Sequence, residues 1–154
     1  MAKLFESSKD VVELAEEKFA NTGLDMMGID LKVISTPKAK SILKVQRANA
    51  TTHYLTKKDV ILIVFEEAFD RLTDEHKHLL MEGAISNVYY DTDKDRLNVE
   101  TDFAKEVFRM RRKYPNYVDI AEESYIVIEQ IEDEEKQRKE AERLAKKEKK
   151  NNNK

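Results

Sequence analysis

Glu82 has the clearest claim to chemistry in this chain. It stands in Leu79-Leu80-Met81-Glu82-Gly83-Ala84-Ile85, a candidate helix, where a carboxylate could deprotonate a metal-bound water if zinc ligands stood beside it. Almost none of the ligands accompany it. His76 and His78 are two residues apart and so point to different faces of a helix, which disfavours a shared metal, and His53 is remote in sequence. With no Cys there is neither a disulfide framework nor a thiolate ligand or nucleophile, so any zinc would have to use His and carboxylates.

A second constellation is Asp91, Asp93 and Asp95, which match the first three ligand positions of a calcium loop, with Asp102 at the twelfth. Arg96 occupies the sixth position, where the sharp turn requires Gly, so a polar hairpin turn is expected instead. Glycines occur only at 23, 28 and 83, too few for a phosphate-cradling loop. No Ser-His-Asp signature is present.

Cations form a third group. Arg109, Arg111, Arg112 and Lys113, beside Tyr114 and Tyr117, could contact a nucleic-acid backbone and stack on bases, although a helical charge run is ordinarily a solvated face. Near the end of the chain Glu129 to Glu135 holds five acids and no base, whereas Lys136 to Lys154 holds nine basic and three acidic residues, a local excess of six positive charges. That segment, with Lys146, Lys147, Lys149 and Lys150, could attach weakly to a polyanion or an acidic protein.

These residues must be positioned by a small body. A chain of 154 residues fits one core with an appendage, and 40% hydrophobic residues suffice to build it. The 38% of charged residues imply a heavily solvated surface, while a net charge of -3 is too small to identify a partner. Met1 to Asp10 lacks the apolar core of a signal peptide, and Val60 to Phe65, the longest apolar run, is too short to span a bilayer. The expectation is a cytoplasmic protein that does not engage a membrane.

Ser7 or Ser8 can cap a helix that buries Val11, Leu14, Ala15 and Phe19 and ends near Asn21-Thr22-Gly23. Ile29 to Ser35 alternates as a half-buried strand, stopped at Thr36-Pro37. Ser41 to His53 reads as irregular strand and loop. Val60-Ile61-Leu62-Ile63-Val64-Phe65 reads as a central strand covered on both faces.

Thr73 is a good amino-terminal cap for a helix predicted to reach Tyr89, with Leu79, Leu80, Ala84, Ile85 and Val88 buried. Gly83 inside it weakens the helix and marks close packing against a neighbouring backbone. Arg96 to Val99 can form a short strand. A helix from Thr101 or Asp102 should bury Phe103, Val107, Met110 and Tyr114 before Pro115 ends it. The last helix, from about Asp119 to Lys150, is expected to bury Tyr125, Ile126, Ile128 and Ile131 and then lose its apolar face. Glu132/Lys136, Glu134/Arg138, Glu135/Lys139 and Glu142/Lys146 are oriented pairs that would support it as an exposed helix, frayed from Asn151 to Lys154.

The order of these elements, with Val60 to Phe65, the phrase Phe69-Asp70-Arg71-Leu72-Thr73-Asp74-Glu75 and the helix Leu79 to Tyr90, resembles the phage metallopeptidase family over roughly Leu24 to Tyr114. In that family the helix carries a His-Glu-x-x-His zinc motif, followed by a charged segment similar to Asp102-Phe103. Laid on this chain, the two His positions are Met81 and Ile85 and the Glu position is Glu82. A thioether is a poor ligand for hydrolytic zinc and Ile is none, so the resemblance implies the framework without the metal.

The resulting expectation is an α+β domain over 1–128 with a zincin-like core, a small mixed sheet packed by helices, followed by a long charged C-terminal helix over 129–154. Its expected function is non-catalytic binding or regulation through a surface, on a host or phage protein if the resemblance holds, with no cofactor. The alternatives are a metal-dependent hydrolase using Glu82 with atypical ligands, zinc or calcium being the metals suggested, and a nucleic-acid-binding accessory protein using the basic residues.

Overall fold

The computed structural model describes residues 3–153. In chain order the elements are β1 (Phe5–Glu6), α1 (Lys9–Asn21), β2 (Leu31–Thr36), β3 (Leu43–Arg47), α2 (Ala50–Thr56), β4 (Val60–Phe65), α3 (Glu66–Asp70), α4 (Asp74–Ile85), β5 (Val88–Asp91), β6 (Arg96–Val99), α5 (Phe103–Lys113) and α6 (Tyr117–Asn152). The fold is α+β, as expected. One sheet has the order β1-β2-β4-β3, and β5 and β6 form a separate hairpin.

The sheet is mixed because β2 pairs parallel with β4 while β1 and β3 run antiparallel at the two edges. Val60, Leu62 and Val64 share one face of β4 and are completely buried, in one core with Val11, Ala15 and Phe19 of α1 and Leu80 and Met81 of α4. Ile61 and Ile63 face the other way and lie outside that core, Ile61 buried and Ile63 half-buried. The strand expected to be covered on both faces is buried at every position but Ile63. Among the described residues no helix is long and apolar enough to cross a membrane.

Several elements differ from expectation for local reasons. Residues 41–53 are more regular than an irregular strand and loop. Leu43–Arg47 pairs along β4, and Asn49 caps α2 by accepting from the Thr52 amide at 2.8 Å. The α4 helix ends at Ile85 rather than Tyr89, because Val88, Tyr89 and Tyr90 pair with Val99, Asn98 and Leu97. Val88 is buried either way, so its helical spacing from Ala84 carried no information about where the helix stops. Phe103, Tyr125 and Ile126 were expected inside and stand exposed.

The α6 helix is continuous across residue 128, and its last buried residue is Ile131. Helical structure runs through Asn152, past the point expected to fray; Lys154 lies outside the described residues. Of the four expected pairs along it, Glu135–Lys139 forms at 3.0 Å. Glu134 turns instead to Arg71, with a 2.7 Å bond that fastens α6 to the end of α3.

Candidate functional site

The helix that could have carried a metal builds the core. Met81 and Ile85, at the positions of the resembled ligands, are completely buried against the sheet. Glu82, between them, receives a 2.6 Å bond from the Lys113 ammonium at the far end of α5. Partial burial pushes its carboxyl up, but Lys113 and Tyr114 more than offset this and hold it below the ordinary carboxylate value. Glu82 is thus an ion-pair partner tying α4 to α5.

The histidines are scattered: His76 Nδ1 lies 3.0 Å from Glu123, His53 Nε2 lies 3.2 Å from Asp59, and His78 is exposed. Among the described residues no three His, Asp or Glu side chains converge in a way that could hold a metal ion.

The aspartate series folds as a hairpin turn. Asp91 Oδ1 accepts the amides of Asp93 and Lys94, at 3.0 and 3.2 Å, and Asp95 takes a positive φ of 50° while accepting a bond from the Tyr90 hydroxyl. Asp102 stands apart as the amino-terminal cap of α5, accepting the Ala104 amide at 3.0 Å.

The basic cluster of α5 is divided among three tasks. Arg109 Nη1 turns inward to Ser86 Oγ at 2.7 Å and Asn87 Oδ1 at 3.1 Å. Lys113 is held by Glu82, and Arg112 lies over the Phe108 ring at 4.7 Å. Arg111 is exposed, so the four residues do not present one face. Lys146, Lys147, Lys149 and Lys150 stand exposed on the distal part of α6.

A different site is assembled where β3, α4, α5 and α6 meet. Tyr117, the first residue of α6, is fully buried, and its hydroxyl donates to Glu106 Oε2 at 2.8 Å. Asn87 Nδ2 donates to the other carboxylate oxygen at 2.6 Å, and Arg109 in turn donates to Asn87. Burial, reinforced by the Glu106 charge, raises the Tyr117 phenol far above its ordinary value, so it remains a donor across the whole working range.

Gly83 makes room for this ring: a Cβ there would come 2.8 Å from Tyr117 Cζ and closer still to the hydroxyl. Among the described residues no buried side-chain nitrogen or oxygen lacks a partner, so the network is closed upon itself.

Above this network an open groove of about 220 Å³ separates β3 from the turn into α5 and continues into a narrower cleft of about 80 Å³ over Tyr117. One wall is the outer edge of β3. The ladder bonds flanking it, from the Ala48 amide to Asp59 O and from the Phe65 amide to Ile42 O, fix the parity of the pairing with β4. Even-numbered residues therefore bond inward, and Leu43 and Val45 turn their N–H and C=O outward.

At its far end Arg47 donates to Leu97 O at 3.2 Å, so the hairpin closes the edge beyond the groove. The opposite wall carries Glu100, Asp102 and Glu106, with Lys105 3.6 Å from Glu100 and Lys44 on the β3 side. Phe103 and Tyr125 form the rim as an edge-to-face pair with centroids 6.2 Å apart, exposed by 46% and 43%.

The sequence pointed to neither the groove nor its network. Gly83 was the available signal, but the expected close packing against a neighbouring backbone is instead contact with the Tyr117 side chain. Comparison with protein-family models, with curated proteins and with solved structures finds no match to this chain.

Proposed function

We propose that this chain is a non-catalytic binding protein that takes an extended, basic segment of a partner protein onto the outer edge of β3. The observation that carries this reading is the outward-facing N–H and C=O pairs of Leu43 and Val45 beside an open acidic groove. Unpaired strand edges recruit extended chains because main-chain hydrogen bonds give affinity and adjacent pockets give selectivity. Here the adjacent surface is aromatic at Phe103 and Tyr125 and negative at Glu100 and Asp102, which favours apolar residues alternating with Lys or Arg.

The reading of the body as a metallopeptidase framework without its metal is part of the same proposal, supported by the core positions of Met81 and Ile85 and by the pairing of Glu82 with Lys113. The resemblance would make the partner a host or phage protein.

The test is a peptide array in which Lys or Arg alternates with apolar residues, followed by titration of the best binder. Val45→Pro removes an outward N–H without touching the bonds to β4 and is tolerable on an edge strand. It should abolish peptide binding while Val45→Ala retains it, and the amide resonances of Leu43 and Val45 should shift on binding. Peptide binding that survives Val45→Pro, or an array without a binder, overturns the reading.

A further inference from the structure

Past Ile131 the α6 helix buries no further side chain; it touches the body through Glu134 and Glu135 and then projects from it, and the residues from Ile131 to Asn152 span roughly 30 Å at 1.5 Å per residue. The cations on this projection are sorted. At 3.6 residues per turn, Lys136, Lys139, Arg143, Lys146, Lys147 and Lys150 fall within roughly 100° of the circumference, and Glu140, Glu142 and Glu148 fall outside that arc. Lys139 shares a 3.0 Å contact with Glu135. Among the described residues Lys136, Arg143, Lys146, Lys147 and Lys150 form no ion pair.

Sorting of this kind sets like-charge pairs against the favourable Glu132/Lys136, Glu135/Lys139 and Glu142/Lys146 pairs. Lys139/Arg143, Arg143/Lys147 and Lys146/Lys150 place like charges one turn apart, each costing about 0.2–0.5 kcal/mol. A helix required only for solubility would intersperse the signs, so the stripe is best accounted for by an anion laid along it.

We propose that this face of α6 docks on the phosphate backbone of duplex nucleic acid. A duplex presents one negative charge per roughly 1.7 Å of axis, so the stripe, about 21 Å long, meets more phosphates than it has cations. The helix is also about 10–12 Å across with its side chains, and its turns beyond Lys139 can lie in a major groove about 12 Å wide.

An anionic bilayer suits it less. The face opposite the stripe offers Ala141, Leu144 and Ala145, with no bulky apolar row to enter the headgroup region. The acidic block Glu129 to Glu135 repels a polyanion from the body and confines contact to the distal part of the helix.

The test is fluorescence anisotropy with a short labelled DNA duplex of arbitrary sequence, using the full chain and two variants that lose the same charge. R143Q/K150Q removes two cations from the stripe, and R138Q/K149Q removes two from elsewhere on the same segment. The full chain should bind at low salt with a slope of log K against log salt of about −5. R143Q/K150Q should weaken binding about tenfold and reduce the slope by about 2, with R138Q/K149Q changing affinity by about threefold or less.

Circular dichroism of both variants confirms that the helix is intact. No binding at low salt, equal loss in the two variants, or tighter uptake by phosphatidylserine vesicles than by the duplex would each overturn the proposal.

Discussion

Replacing Gly83 by Ala should destabilise the protein, although the same change in an ordinary helix interior stabilises by about 1 kcal/mol. The new Cβ would lie 2.8 Å from Tyr117 Cζ, and Tyr117 is fully buried, so the ring can move only by repacking its neighbours. Overpacking of this kind costs about 1–3 kcal/mol. Moving the ring also stretches the 2.8 Å bond from its hydroxyl to Glu106, a bond to a charged acceptor worth about 1.5–3 kcal/mol. After the helix-propensity gain, the net loss is about 2–4 kcal/mol. For a chain of this length that corresponds to a fall in Tm of about 5–15 °C. Thermal unfolding at neutral pH, with urea titration to check that the m-value is unchanged, measures it. The same substitution in a Tyr117→Phe background should cost less, because the atom nearest the new methyl is gone. A Gly83→Ala protein whose Tm is unchanged or raised refutes the reasoning, since propensity would then outweigh the contact.

Two further outcomes follow from the ion pairs and from α6. Lys113 holds the Glu82 carboxyl below 4.5, so the folded state takes up that proton less readily than the unfolded chain. The pair's stabilisation is therefore present above that value and lost as pH falls through the lower folded value. Lys113→Met should lower stability slightly at neutral pH, because the pair is largely solvated, and the gap should close in acid. A gap that widens in acid contradicts the assignment. Deleting the residues after Lys139 removes no buried side chain, so Tm should move by about 2 °C or less. A fall of several times that amount would show that the distal helix packs on the body.

The parts of the fold that were legible in the sequence are those where one local signal had no competitor. Val60 to Phe65 is too short and too β-branched to be anything but a buried strand, and Thr73 marks the start of α4, whereas Ser7 or Ser8 and Thr101 or Asp102 bracket two other helix starts to within a residue. Where two periodicities agree, the sequence is silent: Val88 satisfies both a continuing helix and the first residue of β5. Hydrophobicity misled at Phe103 and Tyr125, because a helical apolar stripe does not distinguish a core from a rim. The site was illegible for a stronger reason. Main-chain groups form the edge proposed for recognition, and their direction depends on the parity of β3 against β4, which a register shift of one residue would reverse.

The α6 helix joins the two proposed surfaces, and its mechanical character follows from what it lacks. No Pro or Gly occurs after Pro115, so nothing in its sequence introduces a kink. Its first turns wall the groove through Tyr117, Ala121 and Tyr125, and its last turns carry the cationic stripe. From Tyr125 to Arg143 the helix advances about 27 Å, a separation fixed as long as the helix stays intact. The bond from Arg71 to Glu134 stiffens the point where the helix leaves the body, because a lever turns most easily at its last packed turn. A partner seated in the groove would therefore sit at a set distance from a polyanion lying on the stripe. Two weak contacts held at fixed separation reinforce each other only when both ligands can span that length, so selectivity would come from spacing as well as from either surface's own affinity.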